Sequence, residues 1–377
     1  MSSDIPVIDK EDEPPELPKG VRCAIILPTY RWNSRVRSLL GVLLGIANEE
    51  VVVLVSDNSE NKEKRDYLKK IRSINPNIFC VAQKTNIGGT ENVFFLWSWA
   101  RNIDYIAQAG DDDFFSQEYF LEAYSYLTND SNASAAETGT ALLDLGNHQF
   151  QAISQPSITG STPLHRIQKW RNVLRITMYN MSRQKAIAPA ISYLKDCPLL
   201  STTLAEIIIE LSRLCFGNFI SLRSSGFYAH YPSTLGNEEN YYRLFCQGRN
   251  IDPAIIYFFR LFTVIHSYLF LTGTYSPIEN RNERLICGET VFKYLYFEFF
   301  VNFITARTKE PVLMEFLIKH HHLIEKLQYF TSVEFVRNIS FSKEFLDFYF
   351  ELLKALDYEG HTYQMMSNFV AKVLDAP

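Results

Sequence analysis

Val51-Val52-Val53-Leu54-Val55 is an unbroken branched apolar run that ends at Ser56-Asp57. A strand with one face in water alternates apolar and polar residues. A continuous run needs cover on both faces, which is the pattern of a parallel strand inside an α/β sheet. Three neighbouring segments repeat the design. Arg22 to Leu27 closes in Pro28-Thr29-Tyr30, Ile78 to Ala82 leads to Asn86-Ile87-Gly88-Gly89-Thr90, and Ile103 to Gln108 leads to Gly110-Asp111-Asp112-Asp113. Between them Val36, Leu39, Leu40, Leu43 and Leu44 fall at helix spacing, as do Tyr67, Leu68, Ile71 and Ile74 before Pro76. A third helix carries Val93, Phe94 and Trp97, with Thr90 as its expected cap. This alternation predicts a right-handed, mainly parallel open sheet with helices on both faces, whose ligand lies beyond the strand C-termini. Tyr30, Asp57, Asn86 and Asp111 all fall at such ends.

Three consecutive carboxylates after a buried strand are costly, because like charges raise one another's pKa and resist ionisation. A divalent cation removes that cost. Hard oxygen ligands suit magnesium or manganese, which leave coordination positions for phosphate and water. Asp111-x-Asp113 therefore points to a metal-bridged nucleoside diphosphate. The same residues also suit a plain acidic turn before a helix begun by Ser116.

Leu27-Pro28-Thr29-Tyr30, Ser56-Asp57-Asn58-Ser59, Asn86-Ile87-Gly88-Gly89 and Gly110-Asp111-Asp112-Asp113 resemble the successive signatures of inverting family 2 glycosyltransferases of the GT-A fold, over roughly residues 21 to 235. The triple Asp preceded by Gly is most similar to a bacterial surface-polysaccharide subgroup. The resemblance implies that Pro28, Thr29, Tyr30, Asp57, Asn86, Gly88, Asp111 and Asp112 hold the donor. It implies Asp113 and His230 as metal ligands for Mn2+ or Mg2+; Asp112, between Asp111 and Asp113, is expected to point away from the metal. It further implies a catalytic acid eleven residues before a helix-ending Gly and a His thirteen residues after that Gly. Glu206, Gly217 and His230 keep both spacings. The family has an acidic pair where this chain has Ala205-Glu206, so Glu210 and Asp196 stand as alternative bases. Locally, Ser201 suits an N-cap, Leu204, Ile207, Ile208, Leu211 and Leu214 form a buried stripe, and Gly217 suits a C′ position. Phe219 to Leu222 reads as the next strand.

The 377 residues, 47% of them hydrophobic, suffice for two cores. Three parts are expected: an acidic tail over 1–20, the sheet domain over 21–235, and an all-helical domain over 236–377. The tail sets Asp4, Asp9, Glu11, Asp12, Glu13 and Glu16 against Lys10 and Lys19, with Pro14, Pro15 and Pro18, a composition that predicts disorder. It holds most of the formal charge of −5, which leaves a near-neutral remainder and argues against a nucleic-acid partner. The six cysteines lack metal spacing and lie mostly in apolar segments, so they read as reduced. No secretion signal is legible, so a cytoplasmic chain, in contact with the inner membrane face at most, is expected.

Beyond residue 236, helices are expected over Ala254 to Leu271, Glu289 to Ile304, Val312 to Leu327 and Phe341 to Leu356. Arg260 and His266 make the first a buried helix rather than a membrane span. His320-His321-His322 reads as a helical surface run. The aromatic excess would also suit a homo-oligomer interface or peripheral contact with a lipid-linked acceptor. The expected activity is metal-dependent inverting transfer of a sugar from a nucleotide diphosphate, UDP first among them, to a glycan hydroxyl. Two alternatives stand beside it, a sugar-nucleotide pyrophosphorylase or nucleotidyltransferase and an inactive nucleotide-binding scaffold.

Overall fold

A computed structural model describes residues 8–9, 14–144, 149–153, 156–173, 179–197, 202–222, 226–230, 251–357 and 360–374. Within these, residues 8–9, 139–144, 149–153, 173, 202–203 and 227–230 are described by their backbone alone. The chain forms two compact units that interleave in sequence. The first comprises Met1–Thr159, Thr177–Ile191 and Phe216–Pro232, and the second Gly160–Ile176, Ser192–Cys215 and Ser233–Pro377.

The first unit is built on a mainly parallel sheet. Its strands are β1 (Ile8–Asp9), β2 (Cys23–Thr29), β3 (Val51–Asp57), β4 (Ile78–Ala82) and β5 (Tyr105–Gln108). After β6 (Phe114–Phe115) come β7 (Ala133–Glu137), β8 (Gly139–Asp144), β9 (Gln149–Ile153), β10 (Met181–Arg183), β11 (Asn218–Ser221) and β12 (Phe227–His230). The main sheet runs β1-β4-β3-β2-β5-β10-β7-β11, and β10 alone runs against its neighbours. The smaller sheet runs β6-β12-β8-β9.

The valine run is covered on both faces, and every residue of β3 is buried. Each apolar side chain so covered contributes about 1.5–3 kcal/mol. One cover is α1 (Ser34–Ile46), which turns Val36, Leu39, Leu40, Leu43 and Ile46 inward and is capped by the Asn33 side chain. In α2 (Lys62–Ile74) the inward residues are Lys64, Leu68 and Ile71, whereas Ile74 is 59% exposed at the helix end. The apolar periodicity thus missed that a lysine takes the inward place of the first turn. In α3 (Gly89–Trp99) the cap is Gly88, at φ +93, rather than Thr90. A side chain is strained there, and a Cβ would also sit 2.4 Å from the Glu91 carboxylate. Asn92, buried beside Leu96, Trp97 and Trp99, exchanges hydrogen bonds with Ser56 of β3. That satisfied pair explains a polar residue on the helix's inner face.

Of the expected tail, residues 8–9 and 14–20 are described, and these are held against the sheet unit. Ile8–Asp9 pairs in parallel with Val81–Ala82 of β4. The Trp99 indole donates to the Pro15 carbonyl at 3.0 Å, and Pro14 to Val21 line a cavity of about 660 Å³ with Phe95, Trp99 and Ile103. Strand addition at a sheet edge needs only backbone groups, so an acidic composition does not prevent it.

The second unit is helical. Its helix Phe259–Thr272 is buried over almost its whole length and is preceded by a separate turn of 3-10 helix, Pro253–Tyr257. Arg260 lies over the Phe299 and Phe303 rings at 5.1 and 4.0 Å. Aromatic rings fill the core in edge-to-face and stacked pairs, among them Phe292 with Phe345 and Phe330 with Phe348. The expected helix over Val312 to Leu327 is two, Pro311–Lys319 and His322–Thr331, so His320 and His321 form the break rather than a helical face. Among the described residues no helix is long and apolar enough to cross a membrane. Cys23, Cys80, Cys197, Cys215 and Cys287 are buried free thiols, and burial pushes Cys80 up to about 12. Cys246 lies outside the described residues.

Candidate active site

The site is built where β2, β3 and β5 end together. The ladder β2·β3 runs from Cys23↔Val51 to Thr29↔Asp57, whereas β2·β5 stops at Ile26↔Gln108. Pro28 lies beyond that stop, so its missing N–H removes no ladder bond on the β5 side. The chain leaving β5 then turns through Gly110–Asp113, closed by the Asp113 N–H on the Gly110 carbonyl.

Asp111 ties this turn to the end of β2. Its Oδ2 accepts from Thr29 Oγ1 at 3.0 Å and from the Tyr30 and Arg31 amides at 2.8 and 2.9 Å. Its Oδ1 accepts from Arg31 Nη1 at 3.0 Å. The same Nη1 lies 2.8 Å from Asp112 Oδ2. Asp112, expected to point away between its neighbours, instead shares one guanidinium with Asp111. Burial and the Asp113 charge push the Asp112 carboxyl above its ordinary value, against the pull of Arg31. The Tyr30 ring is 60% exposed beside this turn.

Asp113 is turned inward and 1% exposed. A Cβ on residue 110 would lie 2.9 Å from both the Asp113 carboxylate and the Tyr179 hydroxyl, so glycine there makes room for both groups. The strand that follows is β6, whose register with β12 is Tyr228↔Phe115 and Ala229↔Phe114. That pairing ends one residue short of both Asp113 and His230; the His230 side chain lies outside the described residues.

A second group lies at the end of β3. Asp57 is fully buried, its Oδ1 accepts from Ser59 N and Oγ, and Lys64 Nζ lies 2.8 Å from the same oxygen as its ion-pair partner. Arg65 Nε stands 3.7 Å from Oδ2. Burial pulls the Lys64 ammonium below its ordinary value, opposed by the bond and charge of Asp57. Asn58 braces the Asn86–Gly88 turn, accepting from Ile87 N and donating to Asn86 Oδ1 and the Gly88 carbonyl. Asn86 Oδ1 also accepts from Gly88 N, so its carboxamide oxygen shapes the turn. Arg31, Asn58 and Lys64 were not expected here. A cation directly after the Pro-Thr-Tyr turn was the one available signal for Arg31.

Glu206 is half-buried on the helix Thr202–Phe216, which falls largely in the second unit. Leu204, Ile207, Ile208, Leu211 and Leu214 form the expected buried stripe, and Ser201 lies outside the described residues. Glu210 is fully buried with Arg213 at 3.2 Å. Asp196 bonds to Lys372 and Tyr275, which hold its carboxyl below the ordinary range. Gly217 is required by a close approach, since a Cβ there would meet the Asn132 carbonyl at 2.5 Å. Among the described residues no three His, Cys, Asp or Glu side chains are grouped to hold a metal.

No family model matches this chain, and no curated protein matches its sequence. Solved structures do match its fold. S. aureus TarS 1–349 aligns with a TM-score of 0.56 at 13% identity, over 93% of this chain and 91% of that one. The same TarS fragment in complex with UDP-GlcNAc aligns at 0.56 and 14%, with the same coverage. In a longer TarS structure the alignment covers 92% of this chain and 55% of that one, at 0.54 and 14%. The chain has a GT-A-like fold with a helical carboxy-terminal region. At such identities the likeness carries the fold alone.

Proposed function

We propose that this chain is an inverting nucleotide-sugar glycosyltransferase of family 2 type that takes a UDP-sugar donor and builds a bacterial surface glycan. The observation that carries this reading is the convergence of Thr29, Tyr30, Asp111 and Asp112 at the C-terminal ends of β2 and β5. Open α/β sheets bind nucleotides at that edge. The fold likeness to TarS, whose structures hold UDP and UDP-GlcNAc, supports the donor class.

A divalent cation held by one or two carboxylates completes its shell with substrate phosphate and water, and the carboxylates of the acidic turn are hard donors of that kind. Asp112 and Asp113 would hold Mn2+ or Mg2+, with His230 as the further ligand that the family resemblance implies. When bound, the ion offsets the charge that grows on the departing diphosphate. The exposed Tyr30 ring offers a face for the base, and Asp111 fixes the Thr29–Arg31 backbone beside it. Asp57 acts from beneath, setting the end of β3 through Lys64 and Ser59.

Inverting transfer also needs a carboxylate to take the acceptor's hydroxyl proton. Glu206 is favoured for that role. Glu210 is sealed against Arg213, and Asp196, held at a low pKa by Lys372, is a weak base. The acceptor is a glycan or lipid-linked glycan hydroxyl. Glu206→Gln should lower UDP release from UDP-sugar and acceptor by about two to four orders of magnitude while leaving UDP affinity unchanged. Normal turnover in this variant would remove Glu206 from the reaction, and UDP binding without turnover in the wild type would indicate a nucleotide-binding scaffold.

A further inference from the structure

We infer that Arg31 is a positioning residue that competes with the divalent cation for Asp112 and couples metal binding to donor binding; this rests on the glycosyltransferase reading above. Arg31 Nη1 meets Asp111 Oδ1 at 3.0 Å and Asp112 Oδ2 at 2.8 Å. The two carboxylates are held unequally. Asp111 has three further donors, Thr29 Oγ1 and the Tyr30 and Arg31 amides, so it stays in place whatever the guanidinium does. Asp112 has Arg31 as its ionic partner, and that side chain is 46% exposed while Asp112 is 18% exposed. Arg31 therefore has room to leave, and Asp112 is the carboxylate that its departure frees.

A guanidinium stays charged throughout the physiological range, so the competition does not depend on its titration. A hard cation at Asp112 meets the positive charge of the Arg31 guanidinium 2.8 Å from Oδ2, so each weakens the other's hold on that carboxylate. Once displaced, the guanidinium stays tethered at the mouth of the site by its own backbone bond to Asp111. A planar fork next to a site for a diphosphate is suited to bidentate phosphate binding. The donor thus offers Arg31 a second anionic partner at the moment the metal takes Asp112. Each ligand then strengthens the other by the same factor, as linkage requires.

The test is Mn2+ binding to the full chain, read from the electron paramagnetic resonance signal of free Mn2+, with and without UDP. Arg31→Met keeps most of the side-chain volume and removes the charge. It should bind Mn2+ alone about ten-fold or more tightly than the wild type, on the scale of one lost charge-assisted bond. The factor by which UDP tightens Mn2+ should shrink towards one in this variant. Arg31→Lys, which keeps a cation without the fork, should still suppress Mn2+ binding yet give weaker coupling to UDP. Asp112→Asn should weaken Mn2+ in either background. If the wild type binds Mn2+ and UDP but Arg31→Met binds Mn2+ no more tightly, the inference fails and the donor site stands. A wild type that binds UDP without any dependence on Mn2+ also overturns it. If the wild type binds neither, the glycosyltransferase reading falls as well.

Discussion

Lys64 Nζ lies 2.8 Å from Asp57 Oδ1, and neither side chain reaches solvent. Because Asp57 is the register partner of Thr29, this pair sits directly beneath the strand ends that form the candidate site. Removing Lys64 leaves the buried Asp57 charge with the longer Arg65 contact at 3.7 Å in its place, whereas removing both charges of the pair relieves that imbalance. Lys64→Met should cost about 3–5 kcal/mol, and adding Asp57→Asn should restore much of that loss. Urea unfolding of the two variants measures both. A Lys64→Met chain as stable as the wild type would mean that the pair does not hold the end of β3.

The amino-terminal segment gives a second expectation. Deleting residues 1–20 removes the strand pair Ile8–Asp9 with Val81–Ala82 and the Trp99–Pro15 hydrogen bond, and it exposes Phe95, Trp99 and Ile103. The melting temperature should fall by a few degrees, the shift about 1 kcal/mol produces in a chain of this size. An unchanged melting temperature would show that the segment contributes nothing to the fold.

The sheet was legible in the sequence because its strands are continuous apolar runs and its acids fall where those runs stop. The valines of β3 and the Asp111–Asp113 turn carry both signals within a few residues. The charge pairs were not. Arg31 meets Asp111 across eighty positions in the chain, and Lys64 looks like an ordinary first-turn helix lysine until the fold buries it. Periodicity placed Ile74 inside and left Asn92 out for the same reason: it counts apolar residues and is blind to the partner that makes a polar one buriable. Gly217 was read as a helix-ending residue for its backbone freedom, a freedom that Gly88 uses at φ +93. At Gly110 and Gly217 the reason is a neighbouring atom that only the fold brings near.

His266 gives a pH dependence with a definite sign. Its Nδ1 meets Tyr193 Oη at 2.6 Å and its Nε2 meets Tyr349 Oη at 3.0 Å inside the helical unit, and burial lowers its pKa to about 3. The unfolded chain protonates near 6.5, so between about pH 6.5 and 3 it binds more protons than the folded one. Stability is therefore full above that window and falls as pH drops, by up to about 1.4 kcal/mol per unit. Denaturant unfolding from pH 7 to 4.5 should show a shallower fall in His266→Gln than in the wild type. Parallel curves would contradict the assignment.

The central claim is that the turn joined to β2 through Asp111 binds a nucleoside diphosphate with a divalent cation. Isothermal titration of UDP into the full chain at saturating Mn2+ tests it most directly, with Asp112→Asn as the comparison. One UDP site per chain should appear, weakened at least about ten-fold by that substitution, the scale of a lost charged contact at a binding site. No UDP binding by the wild type, or equal binding by both proteins, would contradict the account.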